Sequence, residues 1–196
     1  MTRLVLASRN EAKKRELLHI IDGSGLEILT LNEIPEAPEV VEDSQTFQEN
    51  AIKKAQEIAR FTGYVTLADD SGLEVDALGG RPGVYSARFA GEPTNDEKNN
   101  QKLIYMLQGV PAEERKARFR CVIAIAYPDG RVTTAEGTCE GMIAYSPQGQ
   151  GGFGYDPLFI PQGYSETFAE LPPEVKNRIS HRGKALQEAS EILRNI

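Results

Sequence analysis

The sequence reads as an α/β chain, on three observations. Short apolar runs alternate with amphipathic helical stretches from Leu4 to Ala68, two long strand-like runs meet at Pro128-Asp129-Gly130, and the apolar run Tyr64–Ala68 leads into the acidic sequence Asp69-Asp70-Ser71-Gly72. Strand-length apolar runs bounded by turn residues, set between helix-period segments, are the pattern from which mixed α/β domains are built.

Leu4-Val5-Leu6-Ala7 is a short strand. Ser8-Arg9-Asn10 follows, with Asn10 placed as the N-cap of a helix that runs to about Ile21 and shares Leu17, Leu18 and Ile21 on one face. The first turn of that helix carries Lys13, Lys14 and Arg15, against the macrodipole. A bound anion at the helix start would explain both the cations and the free N–H groups. A solvated basic turn explains them equally well, and the glycines and GK[ST] ending of a Walker A loop are missing.

Gly23–Gly25 ends this helix, and Leu26–Leu29 is a second strand. Residues Asn32–Asp43 hold Pro35, Pro38 and several acids, which makes a loop closed by Glu42 and Asp43. Thr46 with Glu49 three residues on is a capping box. It opens a helix to about Phe61, with Lys53 and Lys54 mid-helix and Gly63 as the stop.

The Tyr64–Ala68 strand delivers Asp69 and Asp70 side by side at its end. Like charges held close resist ionising together, and a bound cation would remove the conflict. Oxygen ligands without nearby His or Cys suit Mg²⁺ or Mn²⁺. The plainer reading is a strand ending in an Asx-type turn. Beyond Leu78 lie Gly79, Gly80, Pro82 and Gly83, then Ser86 and Arg88, offering close backbone approach, a hydroxyl and a forked cation.

Thr94 and Glu97 form another capping box, opening a helix with Leu103, Ile104 and Leu107 inward and a stop at Gly109. Ala117–Tyr127 and Arg131–Ile143 form a hairpin, long enough to project from a sheet as a ribbon or second lobe. The stretch Gln148–Pro157 then sets glycines around Phe153, with Asp156 close behind. An aromatic on glycine-flanked backbone with a carboxylate in reach is suited to stacking on a base and bonding its edge; the rival is a plain hairpin bend. Leu158–Pro161 is a strand, Pro172–Ile179 a helical turn with Lys176, and Ser180 the N-cap of a final helix. His181 and Arg182 again place basic side chains at a helix start.

The 196 residues suffice for one domain with a substantial core, or one domain with two lobes. A formal net charge of -7 argues against a polynucleotide partner, which needs a basic face, but leaves room for a small anionic substrate in a local positive pocket. Cys121 and Cys139 sit in strand-like runs as small core residues. Met1-Thr2-Arg3 leads directly into a strand, and no apolar stretch has the length of a membrane span. The expectation is a cytoplasmic protein with no membrane contact.

Five stretches in order, SRNEAKKREL, TFQENAIKKA, ADDSGLEVDALGGRPGVYSARFAG, GGFGYDPLFIP and KNRISHRGKAL, resemble the inosine/xanthosine triphosphate pyrophosphatases, which cleanse the nucleotide pool of aberrant purines. The resemblance covers nearly the whole chain. It implies a single two-lobed domain over residues 1–196, with a long twisted mixed sheet flanked by helices and a central cleft. It implies a homodimer that hydrolyses purine nucleoside triphosphates (ITP, dITP, XTP) between the α and β phosphates, with Mg²⁺ or Mn²⁺. Carried over by residue, Ser8, Arg9, Asn10, Glu11, Ala12 and Lys13 line the triphosphate and Lys54 lies near it. Asp70 is the catalytic carboxylate, Glu42 and Asp70 hold the metal, and Ser71 touches substrate. Phe153, Gly154, Tyr155, Asp156, Lys176, His181 and Arg182 take the base. Arg9 stands where many members carry glycine. A non-catalytic nucleotide-binding or sensor module is the alternative; it accounts for the glycine loops and basic helix starts but not for the crowded acids.

Overall fold

In the computed structural model, residues 2–21 and 25–194 are described. The helix stop expected at Gly23 lies outside the described residues, as does the side chain of Ala12. The chain folds as β1 (Thr2–Leu6), α1 (Glu11–Ile20), β2 (Leu26–Thr30), α2 (Phe47–Thr62), β3 (Val65–Val75), α3 (Asp96–Met106), β4 (Lys116–Ala126), β5 (Val132–Ile143), β6 (Phe159–Pro161), α4 (Pro173–Ile179) and α5 (His181–Leu193), with short 3₁₀ turns between β3 and α3 and before β4.

The strands make one six-stranded mixed sheet in the order β2-β1-β3-β4-β5-β6. β1 lies parallel to both β2 and β3, with Leu4 opposite Ile28 on one side and Val65 on the other. Parallel neighbours need a crossover, and α1 and α2 supply it. β6 runs antiparallel to β5, Met142 facing Ile160. β4 and β5 are the expected hairpin, closed by Tyr127 N–H to Arg131 O at 2.9 Å and by Gly130 at φ 96°. They are interior strands of the sheet rather than a ribbon projecting from it.

Two compact units divide the chain. Unit 1 comprises residues 1–70, 121–137 and 184–196, and unit 2 comprises residues 71–120 and 138–183. Each has its own apolar core. In unit 1, Leu4, Leu6, Leu67, Ile123 and Ile125 of the strands pack with Leu17 of α1 and Leu186, Ala189 and Leu193 of α5. In unit 2, Leu73, Phe119, Ile143 and Phe159 of the strands pack with Leu103 of α3, Leu158 and Phe168.

Caps fix where the helices begin. The Thr46 hydroxyl accepts the Glu49 N–H at 3.1 Å, and Gly63 in the left-handed region closes α2. α5 starts as expected, with the Ser180 hydroxyl accepting the Gly183 N–H at 3.0 Å. For α3 the cap is Asn95, whose side chain accepts the Lys98 N–H at 2.9 Å, one residue beyond the expected Thr94. A side-chain amide oxygen caps as well as a hydroxyl, so neighbouring candidates compete on geometry that sequence spacing does not resolve. β3 also departs from expectation. It continues through Asp69 and Asp70 to Val75 instead of ending at Ala68. Among the described residues, no helix is long and apolar enough to cross a membrane.

Thr46→Ala is expected to cost about 1 kcal/mol by removing the α2 cap. Thermal unfolding should show a drop in Tm of about 2–4 °C; an unchanged melt would mean that the cap is not limiting.

Candidate active site

The acidic pair on β3 organises the polar side chains of unit 1. Successive side chains of a strand point to opposite faces. Asp69 and Asp70 therefore separate, and each has its own partner. Asp69, 3% exposed at its side chain, accepts from the Lys13 ammonium at 2.7 Å. Asp70, half-buried, accepts from the Asn50 amide at 3.0 Å. The strand geometry thus gives the two carboxylates different surroundings.

The start of α1 follows the same logic. Asn10 O accepts the Lys13 N–H at 3.1 Å, and the Ser8 hydroxyl accepts the Asn10 N–H at 3.1 Å, so Ser8-Arg9-Asn10 is a tight turn into the helix. Glu11, in the first turn, accepts from the Asn32 amide at 2.7 Å. Lys14 pairs with Glu33 at 2.8 Å, and that hydrogen bond holds the Glu33 carboxyl below the usual range. Two of the cations that oppose the α1 dipole, Lys13 and Lys14, thus have carboxylates to answer them. The Arg9 guanidinium is turned onto the chain after β2, donating to Leu31 O at 2.8 Å.

The acidic loop before α2 is gripped by that helix. Lys53 reaches Asp43 at 2.7 Å and Val41 O at 2.8 Å, and Lys54 reaches Glu42 at 2.5 Å. The Lys53 hydrogen bond holds the Asp43 carboxyl below its ordinary value. Asn50, 2% exposed, accepts the Ser44 N–H at 2.9 Å with the same amide group that donates to Asp70.

Among the described residues, no group of three or more His, Cys, Asp or Glu side chains gathers to hold a metal. Mg²⁺ does not require one. It binds through one or two carboxylates and completes its octahedron with water and phosphate oxygens. Glu42 and Asp70 are hard oxygen donors, neither fully buried, and fit that pattern. Ser71 follows on β3, exposed, and is the first residue of unit 2.

In unit 2 the glycine-rich stretch is pinned down. The Asp156 carboxylate, 5% exposed at its side chain, accepts the Phe153 N–H at 2.9 Å and pairs with Lys176 of α4. A Cβ on Gly152 would stand 2.0 Å from the Asp156 Oδ2, and its φ of 71° is left-handed, so only glycine fits there. From α3, Asp96 accepts the Gly154 N–H at 2.7 Å and Asn100 donates to Gly154 O at 2.9 Å. Tyr155 is buried, its hydroxyl donating to Ser86 O at 2.7 Å; burial raises its pKa above the ordinary tyrosine value. Phe153 alone of these is turned outward, 76% exposed, with the Lys176 ammonium 5.0 Å from its ring centre. The glycines serve close packing, and the result is a presented aromatic ring.

His181 and Arg182, both half-buried, open α5. The imidazole stacks on Phe119 with ring centres 4.7 Å apart and planes 13° off parallel. A Cβ on Gly183 would lie 1.9 Å from Asn177 O, so α4 and α5 approach too closely for any side chain there. Structure thus gathers Phe153, Asp156 and Lys176 into one contact group, while the Tyr155 side chain serves as an anchor. The hydroxyl of Ser86 is spent internally, accepting the Leu73 N–H at 2.9 Å and donating to Gly83 O at 2.6 Å. Arg88 lies over the Tyr85 ring at 5.2 Å. Sequence reading overlooked Asn50, Asp96, Asn100 and Phe119. Each acts through a contact distant along the chain; the TFQEN sequence, with its Asn one turn into a capped helix, was the available signal for Asn50.

A six-stranded mixed sheet flanked by helices defines an α/β protein. The chain belongs to the Ham1 family, whose model matches residues 4–192. It is 59% identical over 194 residues to the dITP/XTP pyrophosphatase of Desulforamulus reducens, covering 99% of this chain and 96% of that protein. It is 56% identical to the dITP/XTP pyrophosphatase of Geobacter sulfurreducens, covering 95% and 94%. The structure of a Ham1 protein from Coxiella burnetii superposes with a TM-score of 0.94 at 40% identity over the full length of both chains.

Tyr155→Phe should leave Ser86 O without that donor, costing about 1–3 kcal/mol at neutral pH. The raised tyrosine pKa means that the folded state holds its proton more tightly than the unfolded state. Its contribution is constant below pH 10 and is lost as pH rises above 10. Melting temperatures from pH 7 to 11 should therefore fall less steeply in Tyr155→Phe than in the wild type above pH 10; parallel curves would contradict the assignment.

Proposed function

We propose that this chain hydrolyses non-standard purine nucleoside triphosphates (ITP, dITP, XTP) to the monophosphate and pyrophosphate. The observation that carries the reading is the separation of the β3 acids, one set against the Lys13 ammonium and the other, Asp70, held by a neutral amide. Phosphoanhydride cleavage is mainly positioning and charge neutralisation, with a carboxylate to orient water. Near-full-length identity to proteins named dITP/XTP pyrophosphatases supports the substrate class.

In this reading Asp70 is the general base, orienting water and taking its proton. The N–H groups and turn of Ser8 to Lys13 receive the triphosphate, and Lys13 and Lys54 supply positive charge, drawn from their pairs with Asp69 and Glu42. Glu42 and Asp70 would hold Mg²⁺ or Mn²⁺, which when bound neutralises phosphate charge and lowers the pKa of water. Ser71 touches the substrate. Phe153 stacks on the base, Lys176 and Asp156 hold the Phe153 turn, and His181 and Arg182 address the base edge. The same reading carries a homodimer and a cytoplasmic setting, where a nucleotide pool is found.

Selection among purines cannot come from Phe153, since every base offers a π-face. It must come from the edge. Hypoxanthine and xanthine carry an oxygen at position 6, which a donor such as Arg182 satisfies, whereas adenine carries an amino group. Guanine shares that oxygen and must be refused at position 2, where it carries an amino donor.

Incubation with a panel of triphosphates and Mg²⁺ should release pyrophosphate and monophosphate from ITP, dITP and XTP, with Asp70→Asn slower by roughly 10²-fold or more in kcat. Accumulation of diphosphate and orthophosphate would overturn the α–β cleavage, and wild-type inactivity on every triphosphate would favour a non-catalytic nucleotide-binding module. Arg182→Ala should shrink the ITP/ATP ratio of kcat/KM by roughly 5- to 150-fold, the worth of a buried donor left unpaired. An equal loss on both substrates would assign Arg182 to phosphate binding or structure.

A further inference from the structure

Asn50 lies one turn into α2 and is 2% exposed. A primary amide so deeply buried needs partners for its donors and its acceptor. Its Oδ1 accepts the Ser44 N–H at 2.9 Å, and its Nδ2 donates to the Asp70 carboxylate at 3.0 Å. The partners fix the orientation of the amide. A backbone N–H can only donate and an ionised carboxylate can only accept, so the group cannot be turned over without losing both bonds.

One side chain therefore ties two segments 26 residues apart, the backbone two residues beyond Glu42 and the carboxylate of Asp70. These segments carry the oxygen donors to which metal binding was assigned above. Two further ties hold the acidic loop, Lys53 to Asp43 and Lys54 to Glu42, but both come from long cationic side chains 32% and 16% exposed. The Asn50 tie comes from a short, neutral, buried side chain, and of these three it is the one that reaches β3.

We propose that Asn50 is the positioning residue of the catalytic carboxylate. It sets the direction in which Asp70 presents its oxygens and fixes the acidic loop in register with it, so that Glu42 and Asp70 address one ion together. The neutrality of the amide is essential to this role. A lysine at this site would neutralise Asp70, and an aspartate would repel it; an amide orients the carboxylate and leaves its charge in place. The proposal rests on the reading of Glu42 and Asp70 under Proposed function.

Two variants test it. Asn50→Leu removes both hydrogen bonds at similar volume. Asn50→Asp keeps size and the acceptor for the Ser44 N–H but loses the donor to Asp70. Three quantities are measured: Mn²⁺ binding to nucleotide-free protein by the paramagnetic resonance of free Mn²⁺, steady-state kcat and KM on ITP, and Tm. Groups that orient ligating carboxylates typically affect metal affinity or activity by 10- to 100-fold. Asn50→Leu should weaken Mn²⁺ binding by about that factor, and both variants should lose about that factor in kcat, with KM changed by less than about threefold. Asn50→Asp should also lower Tm, because a second carboxylate is set against Asp70 in a buried site.

Wild-type kcat in Asn50→Asp would show that Asp70 needs no donor, and the proposal would fall. Unchanged Mn²⁺ affinity in Asn50→Leu would overturn it as well. If Asn50→Leu does not fold, Asn50→Asp still decides the question through its split between kcat and KM. Failure of the wild type to release pyrophosphate would instead strike the functional reading, since the Mn²⁺ comparison does not depend on turnover.

Discussion

The alternation of side chains along β3 is the constraint on which unit 1 depends. It turns two adjacent aspartates, which could not comfortably share one environment, into two differently furnished carboxylates. Asp69 is nearly sealed and answered by a cation from α1. The pair places the Lys13 ammonium at the start of α1. Asp70, one position on, looks to α2 and a neutral amide. A two-residue acidic motif thus sets the placement of both crossover helices relative to the strand between them.

Unit 2 solves a different problem, the exposure of an aromatic ring in water. An outward Phe has no apolar surface to hold it, so its backbone must be held instead. Asp156, Asp96 and Asn100 each take one polar group of residues 153 and 154. Tyr155 drives its ring into the core alongside Phe159 and Leu158. A buried carboxylate such as Asp156 would be costly alone, and the Lys176 ammonium with the Phe153 N–H compensates it.

Much of this was legible in the sequence because it is local. Strand runs at Leu4, Leu26 and Ala117, the Thr46 and Ser180 caps and the Gly130 turn are each written within a few residues, and each was found where expected. The family resemblance further anticipated the mixed sheet. What sequence could not show was partnership across long separations. Nothing in the order of residues pairs Lys13 with Asp69, 56 positions away, or Asp96 with Gly154, 58 positions away. The same blindness led the Ser86 hydroxyl to be read as open to a ligand, when backbone groups at Leu73 and Gly83 take it up. β3 was read short because Asp, Asp, Ser and Gly are poor strand formers, and pairing in the sheet beside β4 outweighed propensity.

The close approach of Gly183 to Asn177 O has a consequence for how this part of the chain can vary in length. Lys176 ends its work on α4 and His181 begins α5, with Ser180 alone standing between the two helices. No methyl group fits at the crossing, where backbone meets backbone. A single insertion there would turn the start of α5 by about 100°, one residue's share of a 3.6-residue turn, and carry the imidazole off the Phe119 ring. The segment from Lys176 to Gly183 behaves as a piece of fixed gauge, free to change side chains at its exposed positions but not to gain or lose one.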